Sequence, residues 1–274
     1  MTLGELLQWA KSSLDEPADA DYLLCGCLNQ SRSYLYTWPD KVLSADEITV
    51  FRSMIERRVK GEPVAYILGK KPFWSFSLLT SPDTLIPRPE TELLVEAALE
   101  KISAEKKLSI CDLGTGTGAV ALAIASERPN CNVIGVDRIS NAVALAKKNA
   151  QALSIGNVCF LQSNWFDELA GHKFDVIVSN PPYVEQDSPY LQEGDVRFEP
   201  KSALTSGIDG LEDIREIVSR AGEFLSPKGW LMFEHGFSQH QAVANCMKDA
   251  GFVDIQAVED LNLHQRLTIA KCIN

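Results

Sequence analysis

The run VIVSNPPY, residues 176–183, has an order of residue types that suggests chemistry. An apolar stretch that reads as a buried strand stops on a primary amide, Asn180. Pro181 and Pro182 then stiffen the chain, and Tyr183 adds an aromatic ring. Asn and Pro both favour turns, so a plain strand terminus would give the same run. The sharper reading is a rigid pocket for a flat NH2 group.

A second run, CDLGTGTGAVALAIA at 111–125, places Gly114, Gly116 and Gly118 between a strand and a helix. Glycines there let the backbone approach a ligand closely, beside the amides of a helix N-terminus. The run also scores as GxGxxA through Gly114, Gly116 and Ala119, the dinucleotide fingerprint. Asp137 ends the next apolar run, where an acid grips ribose hydroxyls in either case. The loop alone is therefore ambiguous between a nicotinamide dinucleotide and S-adenosylmethionine. Asp112, two residues before the first glycine, opposes a pyrophosphate but could hold the amino group of a methionine moiety. A hydride-transfer enzyme also has no evident need of Asn-Pro-Pro-Tyr after its fourth strand.

These runs need a frame that brings strand ends together. From Pro89 onward, short apolar runs alternate with helical patterns: strands at LSICDL, NVIGVD, NVCFLQ, FDVIVSN, GWLMFEHG, FVDIQAV and RLTIAKC, separated by helices near 117–128, 140–152, 209–224 and 238–250. That rhythm predicts an α/β fold with a doubly wound, mostly parallel seven-stranded sheet. Ligands in such sheets sit beyond the carboxyl ends of the strands, where both Asp112-Leu113-Gly114 and Asn180 fall. The first sixty residues read instead as a small helical bundle, with Thr2/Glu5 and Ser44/Glu47 as capping-box pairs. Strand-like runs around Gly69-Lys70-Lys71 suggest a β-hairpin. The expected division is 1–62 helical, 63–86 a hairpin linker and 87–274 the α/β domain.

The formal net charge is −11, and it sits in the body: the first 75 residues hold 9 Lys/Arg against 10 Asp/Glu, the rest 17 against 27. An acidic body repels phosphate backbones, which argues against general nucleic-acid binding. Arg57, Arg58, Lys60, Lys70 and Lys71 cluster, but as a solvated helix end and loop. The seven Cys include no CxxC pair. With Cys111, Cys131 and Cys159 in or beside core strands, they read as buried free thiols in a reducing, cytoplasmic setting. Four scattered His make no metal cluster. The amphipathic, acid-bearing N-terminus is not a signal peptide, and no apolar run approaches a membrane span.

DLGTGTG, the VD at 136–137 and NPPY, in this order, resemble a class I S-adenosylmethionine-dependent methyltransferase. GEPVAYILGKKPFWSFSL, LIPRPETELLVE and FEPKSAL, with the helical N-terminal region, narrow this to the peptide chain release factor glutamine methyltransferases, the HemK/PrmC family. The resemblance covers essentially the whole chain. It implies that Gly114, Thr115, Gly116, Thr117 and Gly118 wrap the methionine and ribose part of S-adenosyl-L-methionine, with S-adenosyl-L-homocysteine as product. Asp137 would take the ribose hydroxyls and Trp165 the adenine side. Asn164 stands where an acid is expected for the adenine amino group; its carbonyl can still accept. Asn180 would bridge cofactor and substrate, with Pro181, Pro182 and Tyr183 completing the amide site. The implied substrate is the glutamine of the Gly-Gly-Gln motif in class I release factors, recognised with help from the helical domain. A monomer is the expected state.

Under that reading the Asn180 side-chain oxygen and the Pro181 carbonyl accept the two amide hydrogens, while Tyr183 offers a flat face. Competing plain readings are Tyr183 and Trp165 as packing, Asp137 as a helix cap, and Arg88 and Glu90 as residues of a helix start rather than the roof of a site. Phe73 and Trp74 read as hairpin core. Rival functions are an adenine-N6 nucleic-acid methyltransferase using the same amine pocket, an NAD-dependent oxidoreductase, and a cofactor-binding adaptor without activity.

Overall fold

Thr2 and Ser44 each start a helix by the same reciprocal exchange. The Thr2 hydroxyl accepts from Glu5 N at 3.2 Å while the Glu5 carboxylate accepts from Thr2 N at 2.8 Å. Ser44 and Glu47 repeat it at 3.2 and 2.7 Å. Each cap stabilises its helix by about 1 kcal/mol. The computed structural model describes residues 1–273, and the chain divides into two compact units: Met1–Lys71 with Gln192–Phe198, and Pro72–Leu191 with the chain from Glu199 onward.

The first unit is helical: α1 (Leu3–Ser13), α2 (Ala18–Leu28), α3 (Arg32–Thr37), α4 (Ala45–Val59) and α5 (Val64–Leu68). Leu3, Leu6, Leu7 and Ala10 of α1 meet Ala20, Leu23 and Leu24 of α2 and Phe51 and Ile55 of α4, each set at helical spacing. Gly26 lets α2 and α5 close up, since a Cβ there would stand 2.4 Å from Leu68 Cδ2. Arg58 bridges Asp19 and Asp195, both at 2.7 Å, and so holds the Gln192–Phe198 segment within this unit. The apolar run of α5, expected to be strand-like, is a single helical turn closed by Gly69 at φ 67°.

The hairpin pairs β1 (Lys70–Phe73) with β2 (Phe76–Leu79) and turns at Trp74, φ 55°, rather than at Gly69. Phe73 is buried and Trp74 packs against the same cluster, as hairpin core. The α/β unit then runs α6 (Glu92–Lys101), β3 (Ser109–Leu113), α7 (Ala119–Glu127), β4 (Asn132–Asp137), α8 (Ser140–Leu153), β5 (Val158–Gln162), β6 (Phe174–Ser179), α9 (Glu212–Phe224), β7 (Leu225–Glu234), α10 (His240–Asp249), β8 (Val253–Glu259) and β9 (Gln265–Lys271). The sheet order is β5-β4-β3-β6-β7-β9-β8, with β9 antiparallel to both neighbours and the other pairs parallel.

Alternate residues of each central strand serve opposite faces. Ile110, Val133, Val176 and Val178 join α6, α7 and α8 in one cluster; Cys111, Leu113, Val136 and Ile177 join α9 and α10 in the other. Covered strands of this kind are apolar throughout. No disulfide joins any of the seven Cys, but only Cys111 and Cys131 are buried; Cys25, Cys27, Cys246 and Cys272 are half-buried, and Cys159 is exposed because β5 is an edge strand. Among the described residues no helix is long and apolar enough to cross a membrane.

Candidate active site

The chain leaves β3 toward β4 on one side and leaves β6 toward β7 on the other, so a crevice opens at the carboxyl ends of β3 and β6. Register decides what meets there. Leu113 pairs with Ser179, and Ser179 pairs with Phe233. The next residues, Gly114, Asn180 and Glu234, therefore come off three adjacent strands together. Ser179 Oγ donates to the Leu113 carbonyl at 2.8 Å in a fully buried bond that ties the first two ends. Such a bond contributes about 1 kcal/mol.

In the glycine loop, Gly114, Gly116 and Gly118 all adopt positive φ, at 73°, 54° and 84°. The loop's amides are occupied from within. Gly114 N and Thr115 N donate to the Val136 carbonyl at 2.9 and 2.8 Å, and Gly118 N donates to the Thr115 carbonyl at 2.8 Å. Gly116 N donates to Asp137 Oδ2 at 2.9 Å, while Ile139 N donates to Oδ1 at 2.9 Å. Asp137 thus pins the loop from the end of β4, its oxygens keeping lone pairs for ligand hydroxyls. Asp112 accepts from Thr115 Oγ1 at 2.6 Å and from Ala121 N at 3.2 Å. Burial pushes its carboxyl up to about 6 against those two bonds, with the Asp137 charge adding to the rise. Burial also raises Asp137, against the Ile139 and Gly116 amides.

A loop that has spent these amides and presents two carboxylates does not suit a pyrophosphate, which needs free N–H donors at a helix N-terminus. It does suit an ammonium and a pair of ribose hydroxyls. Asp112, Gly114, Thr115, Gly116, Thr117 and Asp137 line one cleft, whose empty volume is about 930 Å³ with its open mouth included. Asn164 and Trp165 line it as well, and so do Asn180 and Pro182. Trp165 is also core: it is buried among apolar side chains, and a Cβ on Gly114 would stand 3.3 Å from its ring. Gly118 does not line the cleft. Its Cβ would meet Leu122, Phe160 and Ala146 at 3.1–3.2 Å, and its φ is 84°, so tight packing and backbone conformation both favour glycine there.

A second, smaller cavity, about 350 Å³ with its open mouth included, is lined by Pro181, Tyr183, Val184, Tyr190 and Leu204. It shares Leu85, Arg88, Asn180 and Ala203 with the first. Asn180 is therefore a common wall. Its Nδ2 donates to Thr91 Oγ1 at 3.1 Å. Tyr183 is fixed by its backbone, N donating to the Leu204 carbonyl at 3.1 Å and O accepting from Gln239 Nε2 at 3.0 Å. Burial, with the Glu234 charge nearby, raises its phenol far above the usual tyrosine range.

Arg88 forms part of the roof through an ion pair with buried Glu199, which also accepts from Ile86 N at 3.0 Å. That pair joins LIPRPE to FEPKSAL across 111 residues of sequence. Glu90 is exposed. Sequence reasoning missed Thr91, which lines the cleft, and Glu234, buried behind it at the end of β7. The signal for Glu234 was an acid inside the apolar strand GWLMFEHG, a place where acids rarely lie. Among the described residues no group of three or more His, Cys, Asp or Glu is placed to hold a metal ion.

Residues 5–69 match a model of the PrmC N-terminal domain, and residues 104–265 match a methyltransferase domain model. The release factor glutamine methyltransferase of Vibrio cholerae is 50% identical over 266 residues, covering 96% of this chain and 93% of that one. The chain belongs to the release factor glutamine methyltransferase family. The family's Aliivibrio fischeri member is 48% identical over 94% of this chain and 92% of its own, and the Escherichia coli member is 43% identical over 98% and 97%. The match to these release factor glutamine methyltransferases thus runs over nearly the whole chain, the helical unit included. Solved structures share the fold: a Pyrococcus furiosus methyltransferase at TM-score 0.56, 16% identity, over 80% of this chain and 98% of that one, and a T. thermophilus 16S rRNA N2 G1207 methyltransferase at TM-score 0.55, 19% identity, over 74% and 49%.

Proposed function

We propose that this protein transfers a methyl group from S-adenosyl-L-methionine to the side-chain amide nitrogen of the glutamine in the Gly-Gly-Gln motif of class I release factors. The observation that carries the reading is Asn180 standing as the wall between a cofactor-sized cleft and a smaller cavity floored by Pro181 and Tyr183.

The cleft fits the cofactor by its donor set. In this reading Asp112 takes the ammonium of the methionine part and Asp137 the ribose hydroxyls, with Trp165 and Asn164 on the adenine side. When bound, the cofactor supplies an electrophilic methyl group. The protein's task is to make an amide nitrogen, whose lone pair is delocalised into its carbonyl, face that group.

Thr91 occupies the Nδ2 end of the Asn180 amide, which leaves Oδ1 to accept one substrate N–H. The Pro181 carbonyl is the second acceptor, and proline rigidity fixes its direction. Acceptors on both hydrogens favour the positive charge that develops on nitrogen. The Tyr183 ring packs the amide plane. Because its phenol stays protonated at any physiological pH, it serves as surface and hydrogen-bond donor rather than as a base. The excess proton leaves after transfer. Orientation of this kind contributes roughly 7–11 kcal/mol where both partners are held in near-attack geometry.

We infer that the helical unit helps recognise the release factor; Tyr22, Tyr36 and Trp38 lie exposed on it, more than half accessible. The test of the whole reading is mass spectrometry of a class I release factor incubated with the protein and S-adenosylmethionine. One added methyl on the glutamine of the Gly-Gly-Gln peptide is expected. Label entering only RNA or DNA would contradict it.

A further inference from the structure

Behind the amide site lies a buried acid that touches neither cavity. Glu234 ends β7, 4% exposed, and lines neither the cofactor-sized cleft nor the smaller one. Its Oε2 has no hydrogen-bond partner, the one buried side-chain polar atom of which this holds among the described residues. The Thr91 and Tyr183 hydroxyls lie near enough to its carboxyl to favour the charged form. Thr91 is a wall of one cavity and Tyr183 a wall of the other. A buried carboxyl oxygen without a partner costs the fold stability.

We propose that Glu234 is a positioning residue for methyl transfer: as a carboxylate it sets the direction of the Thr91 and Tyr183 hydroxyl protons, and through Thr91 it turns the Asn180 side-chain oxygen toward the substrate amide. The inference rests on the role given above to Asn180. Its logic is donor–acceptor parity. A carboxylate accepts only, so an ionised Glu234 draws the single proton of the nearby Thr91 hydroxyl toward itself. Thr91 Oγ1 can then only accept from Asn180, and it does so from Nδ2 at 3.1 Å. With Nδ2 committed there, Oδ1 is the end left for the substrate. A neutral Glu234 carries a proton of its own, no longer dictates the Thr91 hydroxyl, and lets Thr91 donate to an inverted Asn180 amide.

The groups facing Glu234 come from three places. Glu90, from the turn before α6, raises its carboxyl; Arg266 on β9 and the Thr91 and Tyr183 hydroxyls lower it; burial outweighs them all and pushes it up to about 7. His235, the next residue, stays neutral across this range, because burial pushes it down to about 4. The carboxyl therefore changes state near neutral pH, and amide transfer should follow its ionised fraction.

The test compares wild type, Glu234→Gln, Thr91→Val and the double variant, using full-length protein and a class I release factor. Wild-type kcat/KM, which reports the free enzyme, is expected to rise through a limb near pH 7. In Glu234→Gln that limb disappears and kcat falls about 10- to 100-fold, the scale of a small misplacement, while KM stays within about threefold because substrate contacts remain. Thr91→Val gives a similar loss of kcat, and the double variant is no worse than the worse single one. Infrared difference spectra of the protein alone should show a buried carboxylic-acid carbonyl band that vanishes near pH 7 and is missing in Glu234→Gln. A folded Glu234→Gln protein with wild-type kcat, or one that keeps the acid limb, overturns the inference. If that variant does not fold, Thr91→Val with wild-type kcat overturns it. Wild-type protein that methylates no release factor at any pH overturns the proposed function and this inference with it; an active wild type beside an unaffected Glu234→Gln overturns this inference alone.

Discussion

The Asn180 amide donates to the Thr91 hydroxyl at 3.1 Å, joining a strand end to a helix start 89 residues earlier in the chain. That bond gives the Asn180 side chain a polarity, with its nitrogen turned to the protein and its oxygen left for a ligand. Removing it predicts a specific pattern. Asn180→Ala should lower kcat by about 10²–10³, the scale of losing one preorganised acceptor or donor at a reacting centre. Cofactor affinity by calorimetry should fall far less than kcat, since the other cleft residues remain, and the melting temperature should stay near wild type.

Asp137 has the opposite profile. Its carboxylate accepts from Gly116 N and Ile139 N and also lines the cleft. Asp137→Ala should weaken S-adenosylmethionine binding about 10- to 100-fold, the range for losing charge-assisted hydrogen bonds. Titration calorimetry measures this without any release factor. An unchanged affinity would show Asp137 to be a loop clamp alone.

Glu234 gives stability a pH dependence of unusual sign. Its carboxyl sits at about 7 in the folded protein against an ordinary 4.5. A raised acid binds its proton more tightly when folded, so the contribution is favourable below 4.5 and is lost as pH rises through 7. By pH 8 the loss is on the order of 3 kcal/mol. Asp112, raised to about 6, adds in the same direction. Denaturant melts should therefore show stability falling between about pH 5 and pH 8, and a shallower fall in Glu234→Gln.

Gly118 and Gly116 separate packing from ligand access. Gly118→Ala would crowd Leu122, Phe160 and Ala146 at 3.1–3.2 Å and force φ 84° on a residue with a side chain. A loss of about 1–3 kcal/mol in stability is expected. Gly116→Ala meets nothing within 4 Å, so its penalty is the strained φ of 54° alone, about 1 kcal/mol. Because Gly116 lines the cleft, that variant should also alter cofactor affinity.

The fold was largely readable from the chain because the covered strands announce themselves as short apolar runs, and the site residues mark their ends. Asp112, the glycines, Asp137 and Asn180 could all be placed at carboxyl ends by counting along those runs. What could not be counted was register between distant strands. Glu234 comes to Asn180 only because Phe233 pairs with Ser179, and Thr91 arrives from before α6. Short apolar runs were also ambiguous in type: VAYIL is a helical turn because Gly69 closes it in a left-handed conformation. Gly118 looked like its neighbours in the motif, yet its neighbours in space are side chains of the core. Cys159 looked buried in an apolar run, and the edge position of β5 exposes it.

The central claim is that Asn180 grips the substrate amide and aims its nitrogen into the cofactor cleft. A structure of the protein with S-adenosylhomocysteine and a peptide bearing Gly-Gly-Gln tests it most directly. The account predicts the glutamine amide nitrogen about 3 Å from Asn180 Oδ1, against the Tyr183 ring, with Nδ2 still on Thr91. A glutamine side chain bound away from Asn180, or an Asn180 amide turned the other way, would contradict it.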